Sequence, residues 1–490
     1  MTAVASPEVL VLLAVLTPFA GALIIPFFHK LPNLRETVTL LAAGALCLAV
    51  FNLLPAVLAG ARPEVPIIAV ATGLEIAFQV EPLGMLFALV ASSLWIVNSV
   101  YSIGYMRANN EPRQTGFYVC FAVALGSTIG IAFAKNLFTL FLFYEALTLS
   151  TFPLVTHKRT TEAVRAGRVY LLLLLGTSLM LFLPAIIATW VLAGTLDFTP
   201  GGILAGKAGA PVIAVLLALY VFGIGKAAVM PLHFWLPAAM VAPTPVSALL
   251  HAVAVVKAGV FAVVKVIVYV FGLDTLAKTG ANEWLIFVAS ASLLTASFIA
   301  LSRDNLKARL AYSTVSQLAY VVLGAALATP TSIIGSGLQI AMHAAGKITL
   351  FFCAGAIYTA HHLTEVSEMT GIGRRMPVTM LAFLVASLSI IGLPPLGGTW
   401  SKWTIALGAL DAGYIIVVGV LMLSTLLSVG YLLPIVARGF FFLPPGAPKD
   451  GSTVVEEAPT TCLIALSCTA LLCIVLFFLA GRIEALLAEL

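Results

Sequence analysis

The sequence predicts an all-α polytopic membrane protein of about fourteen transmembrane helices, and three observations carry that reading. Of its 490 residues 61% are hydrophobic and only 9% charged, whereas a soluble chain needs about 25% charged residues to cover its wet surface. Apolar runs of the ~20 residues that cross a bilayer recur along the whole chain. Lysine and arginine also concentrate in alternate breaks between those runs.

The first run, 8–28, is too long for a signal-peptide core. It has no basic residue before it and is followed by "FHKLPNLRE" rather than a cleavage site, so it reads as the first span. Polar breaks then separate spans near 37–59, 82–105, 115–134, 137–156 and 168–193. The seventh, 211–236, is long and contains Pro231. Ordinary crossings follow near 246–271, 284–301, 310–327 and 333–360. The twelfth, 378–410, is again long and is interrupted by Pro394 and Pro395. Spans at 413–437 and 459–480 complete the count.

An even number of crossings puts both termini on one side. With that side outside, fifteen basic residues fall in inner segments, Lys449 in the 438–458 connector among them. Five fall outside: Arg62, Lys135, Lys207, Lys278 and Arg482. The positive-inside rule therefore predicts both ends on the outer side. Of the 25 lysines and arginines this leaves five lysines within spans: Lys226, Lys257, Lys265, Lys347 and Lys402. "KNLFTLFLFYE" opens span five and "DNLKARLAYST" opens span ten, and the proline-broken spans seven and twelve share that offset. An offset of five helices inverts the second copy, as in many transporters. The expected organisation is a single membrane domain: N-terminal helices over 1–110, a first repeat over 111–275, an inverted one over 276–438, and a loop and last helix over 439–490.

An ammonium at the bilayer centre costs ~2.5–3.5 kcal/mol on insertion scales unless it serves a pathway. Lys257 and Lys226 have ten or more residues of span on either side, too deep to reach the headgroups. Lys265 lies six residues from the end of its span, where snorkelling is expected. Glu145, in "FTLFLFYEALTLSTF", is equally central and makes a natural couple for Lys226. His343 and Lys347 are four apart on one helix face, and a histidine suits a relay between lysines. His251, at the entrance to span eight, has the same chemistry. Pro231 and Pro394–Pro395 free backbone carbonyls in mid-membrane, which is tolerated only where protein or water lines them. A lysine beside each break, Lys226 and Lys402, therefore points to hydration. Ser313, Thr314, Ser316 and Gln317 read as ordinary helix-packing groups.

Other signals fail. The six cysteines form no C-x-x-C, so no disulfide frame or metal cluster is expected. "GGILAGKAG" matches a phosphate-loop pattern, but Ala208 stands where Ser or Thr is needed and no strand precedes it. "HHLTE" lacks a metal-ligand spacing. No haem or nucleotide motif occurs, so the chain is expected to hold no cofactor or metal and to bind no nucleic acid.

Three stretches, "GIGKAAVMPLHFWLPAAMVAPTPVSALLHAVAVVKAGVF" (223–261), "DNLKARLAYSTVSQLAY" (304–320) and "GLPPLGGTWSKW" (392–403), resemble the antiporter-like subunits shared by complex I and Mrp-type Na⁺/H⁺ antiporters. The resemblance implies fourteen helices built on two inverted five-helix repeats, with a proton path across the middle of the membrane. It carries the proton-transfer roles to Glu145, Lys226, Lys257 and Lys402, and less directly to His343 and Lys347. M-type complex I subunits usually have glutamate where this chain has Lys402. That lysine, and a chain ending soon after the last span, look most like the D subunits of the Mrp branch. The expected function is proton translocation within a multisubunit Na⁺(K⁺)/H⁺ antiporter of a bacterial-type cell membrane. Its partners would be other membrane subunits, and the metal cation would pass through a neighbour because lysines repel it. The alternative is the pumping arm of a quinone reductase or hydrogenase, with all redox chemistry in partner subunits. A scaffold bearing relic charges is the third reading, and five buried ionisable groups argue against it.

Overall fold

In the computed structural model, residues 6–443 and 454–489 are described. Lys449 and residues 444–453 of the 438–458 connector lie outside the described residues. Among those described, helices occupy all fourteen expected spans. They are α1 (Pro7–Phe28), α2 (Pro32–Leu58), α3 (Pro82–Ala108), α4 (Gln114–Ala132), α5 (Leu137–Val155), α6 (Thr161–Ala193), α7 (Ala210–Gly223), α8 (Thr244–Phe271) and α9 (Glu283–Ser302). Then come α10 (Leu306–Ala326), α11 (Pro330–His361), α12 (Pro377–Ile391) with its continuation α12b (Gly398–Asp411), α13 (Ile415–Phe441) and α14 (Thr460–Leu487). Eleven are long and apolar enough to cross a membrane alone. Helix α10 is not among them, because Ser313, Thr314, Ser316 and Gln317 sit inside it, all buried.

One element goes beyond the sequence-based expectation. Strands β1 (Glu64–Ala71) and β2 (Leu74–Gln79) form an antiparallel hairpin between α2 and α3, with Glu64 opposite Gln79. The β-branched run 65–70 and a glycine at the turn explain it; Gly73 has φ +76°, which side-chain-bearing residues avoid. The hairpin is anchored by Gln79 N to Phe133 O (2.7 Å) and by Lys135 Nζ, 2.6 Å from Glu64 and 2.7 Å from Glu75. It marks one end of the bundle, the hairpin end. The opposite end carries the basic loops.

The inverted repeat is visible in the backbone. At the hairpin end Leu137 N donates to Leu196 O (3.0 Å) and Phe198 N to Lys135 O (3.1 Å). At the basic end Leu306 N donates to Thr364 O and Val366 N to Asp304 O, both 2.9 Å. Asn136 and Asn305 stand at the matching positions, and each caps its helix by accepting from the backbone N–H three residues on. The same local motif thus opens α5 and α10 at opposite ends of the bundle.

Packing ranks the helices. The apolar stretches of α8 and α11 are wholly buried, whereas those of α6, α13 and α14 are one-third buried. Helices α8 and α11 therefore form the interior, and the ionisable residues they carry are enclosed by protein on all sides.

Candidate functional site

The first break opens earlier than the prolines predict. Helix α7 ends at Gly223, and Lys226 lies in a single tight 3₁₀ turn, Gly225–Ala227, before the irregular chain containing Pro231. Likewise α12 ends at Ile391, ahead of Pro394 and Pro395, and α12b resumes at Gly398. The prolines sit inside the breaks rather than starting them. In each case a glycine-bearing turn, at Gly223–Gly225 and at Gly392 with φ +93°, ends the helix first. Lys226 is thus not on a continuous helix, and its side chain is aimed by the break itself.

That break rests on α8. A Cβ on Gly259 would overlap Lys226 C and Ala227 N, so only glycine lets the two backbones meet, two residues from Lys257. Lys226 is fully buried. Its Nζ donates to Tyr144 O (2.9 Å) and Thr148 Oγ1 (2.5 Å) and lies 3.2 Å from the Tyr144 ring centre. The expected couple with Glu145 is open: both Glu145 carboxylate oxygens lack a partner. The reason is helical geometry. Tyr144 and Thr148 lie on the inward face of α5, while Glu145 shares a sector with Leu142 and Leu149, which are 38% and 57% exposed.

Further along, Lys257 Nζ is hydrogen-bonded to His343 Nδ1, joining α8 to α11. One turn on, Lys347 Nζ donates to Ser313 Oγ (2.6 Å) and Leu310 O (3.2 Å). A ladder of hydroxyls continues from there. Ser313 Oγ meets Tyr431 OH (2.9 Å), which meets Ser428 Oγ (3.0 Å). Lys402, at the second break, donates to Ile391 O (3.0 Å) and Thr425 Oγ1 (3.4 Å) and lies 4.7 Å from the Tyr320 ring centre. A branch through Gln317, Gln339 and Ser401 also reaches α12b, by contacts of 2.9 and 2.6 Å. Of the polar groups of α10, Ser313 is therefore a contact of a buried lysine as well as a packing group. His251 is brought near the line but not into it. It is fully buried, neither ring nitrogen has a partner, and its ring faces Phe351 at 4.7 Å.

Lys265 does not snorkel. It is 1% exposed, 3.1 Å from Glu81 Oε1, and donates to Ala134 O (2.9 Å). Tyr269 donates to the other Glu81 oxygen (2.6 Å). The N-terminus of α3 covers the end of α8, so the lysine finds a carboxylate before it finds headgroups.

At the basic end a cavity of about 180 Å³ is lined by Tyr105, Lys158, Thr244, Lys307 and Tyr358. It adjoins a wider one of about 540 Å³ at Glu111 and His362, which shares Lys158 and Tyr358. Thr244, Ser247 and His251 follow at helical spacing on α8. Burial raises the Glu111 carboxyl, with Lys158 opposing.

Residues 134–428, which contain every member of this line from Glu145 onward except Tyr431, match the family described as NADH:quinone oxidoreductase/Mrp antiporter, TM. The chain belongs to that family. NADH-quinone oxidoreductase subunit N of Desulforudis audaxviator (strain MP104C) is 32% identical over 386 residues, 78% of this chain and 75% of that protein. The A/B subunit of a probable K(+)/H(+) antiporter from Rhizobium meliloti (strain 1021) is 29% identical over 452 residues, 89% of this chain but only 44% of its own length. The fold matches a chain of the Mrp complex from Dietzia sp. DQ12-45-1b with TM-score 0.85 at 21% identity, covering 100% and 97% of the two chains. It also matches a chain of the membrane-bound sulfane sulfur reductase, an archaeal respiratory membrane complex, with TM-score 0.84 at 24% identity, covering 98% and 96%. The antiporter-like fold and a multi-pass membrane protein are thereby established, and both structural neighbours belong to multisubunit membrane complexes.

Several members of this line carry no sequence signal of their own. Tyr144, Thr148, Tyr431, Ser428 and Thr425 are residue types common in any membrane helix. Glu81 sits at a span boundary, where a carboxylate is ordinary. Only Lys307, in "DNLKARL", stands within a distinctive motif; by sequence it falls in an inner loop before span ten, whereas it lies in the first turn of α10, at the cavity.

Proposed function

We propose that this chain is the proton-carrying, D-like subunit of a multisubunit monovalent cation/H⁺ antiporter. The observation that supports it best is the row of lysines between two broken helices, Lys226, Lys257 and Lys347 enclosed and Lys402 half-buried, with His343 on Lys257 and a hydroxyl ladder leading from Lys347. Each of these lysines rests on neutral groups rather than on a carboxylate, an arrangement suited to exchanging a proton and poor for static packing.

In this reading protons enter from the basic end through the Glu111–Lys307 cavity. Ser247 and His251, buried with atoms that lack protein partners, are satisfied by water, which conducts the proton to His343 and Lys257. Approach of Glu145 to Lys226 favours the charged lysine by Coulomb attraction, and separation favours release. Charge displacement then passes through Lys257 and His343 to Lys347 and Lys402. The membrane potential contributes ~2.3 kcal/mol per charge per 100 mV. Na⁺ or K⁺ travels through a neighbouring subunit, since a lysine-lined path repels it. The asymmetry of basic residues supports a bacterial-type cell membrane orientation with both termini outside.

The test is antiport in everted vesicles from cells lacking their own Na⁺/H⁺ antiporters, expressing the whole operon. Addition of Na⁺ or K⁺ should dissipate ΔpH with the wild type, and Lys226→Ala should abolish the response while the complex still assembles. Undiminished antiport in Lys226→Ala would place the path elsewhere. The 32% identity to a NADH-quinone oxidoreductase subunit N favours a second reading, the pumping arm of a redox complex. No cation response from the wild type, with iron–sulfur subunits encoded beside this gene, would select it.

A further inference from the structure

The bundle carries a second feature unrelated to the proton line. A cavity of about 530 Å³ runs between α2, α3, α11 and α14, walled by Leu54, Leu86, Leu94, Ala345, Leu476 and Leu486. Among its lining residues only Ser93 and Arg482 are polar. Phe51 and Leu58, 49% and 50% exposed, stand at its edge. Small residues on α11, Ala341 and Ala345, create the space.

Its length and lining select the occupant. Along α14 the slot extends from Leu472 to Leu486, about 21 Å of helix. A slot of this length, with apolar residues on nearly every wall, suits a hydrocarbon chain. Water does not fill apolar cavities of this kind, and in a bilayer the adjoining material is acyl chain.

Arg482 sets the other half of the ligand. It follows Thr460 by 22 residues, about 33 Å of helix rise, which spans the ~30 Å hydrocarbon core. It therefore stands at headgroup depth at the hairpin end, where the slot opens. Nearby Arg62 is paired with Glu489 (3.2 Å), and Glu484 lies about 200° round the helix from Arg482. Arg482 is exposed and has no ion-pair partner among the described residues.

We propose that this slot is a binding site for an anionic phospholipid, its phosphate on Arg482 and one acyl chain between α3 and α14, against the face of α11 that carries Ala341 and Ala345. The lipid lies behind the helix that bears His343 and Lys347, and braces it from the side away from the relay.

The assembled complex in mild detergent would be equilibrated with phosphatidylglycerol or phosphatidylcholine carrying the same photoreactive acyl chain, irradiated, and mapped by peptide mass spectrometry. Phosphatidylglycerol should label α14 between Leu472 and Leu486. Arg482→Gln should lower that yield about tenfold and leave the weaker phosphatidylcholine labelling unchanged. Val90→Phe, filling the partly buried wall, should lower both, with assembly checked by size exclusion. Equal labelling by both lipids in the wild type, or labelling indifferent to both substitutions, would overturn the proposal. So would an unlabelled slot occupied by side chains of another subunit in the structure of the complex.

Discussion

At the scale of single residues, the Lys257–His343 contact is the narrowest point of the proton line, because one imidazole ties the α8 lysine to α11. Histidine is suited there since it accepts and donates near neutral pH. His343→Ala should lower antiport about a hundredfold, the low side of what a positioned proton-transfer group contributes. His343→Gln, which keeps a hydrogen bond but cannot carry a proton, should not restore it. Initial rates of ΔpH dissipation at matched expression would decide. A second histidine gives a pH effect outside the membrane. Burial, with Arg113 beside it, pushes the His157 imidazole from its ordinary 6.5 down to about 4. A folded-state value below the unfolded one favours folding fully above pH 6.5, and that contribution is lost as pH falls through about 4. Thermal stability of His157→Gln should therefore decline less steeply than wild type between pH 6.5 and 4. Parallel melting curves across that window would count against this account.

At the scale of elements, the breaks and caps matter more than the helices they interrupt. Gly259 lets the Lys226 turn lie on α8. Gly259→Ala places a methyl against backbone that cannot yield, an overpacking cost of about 1–3 kcal/mol. It should weaken transport more than it weakens assembly, because the displaced turn carries Lys226. Transport per assembled complex would measure this, and an unchanged value would mean that the turn relaxes freely. The two matched caps offer an internal control. Asn136→Ala and Asn305→Ala each remove one N-cap, worth about 0.5–2 kcal/mol. Similar losses in melting temperature are expected at both, since the flanking backbone bonds are the same at either end of the bundle.

At the scale of the whole molecule, a ladder of hydroxyls from α10 and α13 runs from Lys347 as far as Ser428, three residues from the Thr425 that accepts from Lys402. Ser313→Ala and Tyr431→Phe each interrupt the same ladder. If it acts as one path, the double variant should lose little more than the more severe single one. Multiplying losses would instead describe two independent routes, of which the Gln317–Gln339–Ser401 branch is the visible second. The depth of Lys226, Lys257 and Lys347 is readable from the chain, because a charge ten residues from either end of a span has no route to water. The same rule fails for Lys265. Its distance to the headgroups counts along its own helix, while the carboxylate that meets it comes from α3.

Composition, run length and the placement of basic residues were enough to determine fourteen helical crossings, two breaks and the residues at the centre of the membrane. These follow from the cost of burying charge and backbone polar groups, which acts on each segment separately. Only the tertiary structure decided which groups the lysines touch, that the helix ends before Lys226 and that Glu145 makes no direct hydrogen bond or ion pair with it. It also placed a β-hairpin over one end and opened an apolar slot beside α11. Those features depend on contacts between helices far apart in the chain, where shape and the reach of individual side chains govern and hydropathy is silent.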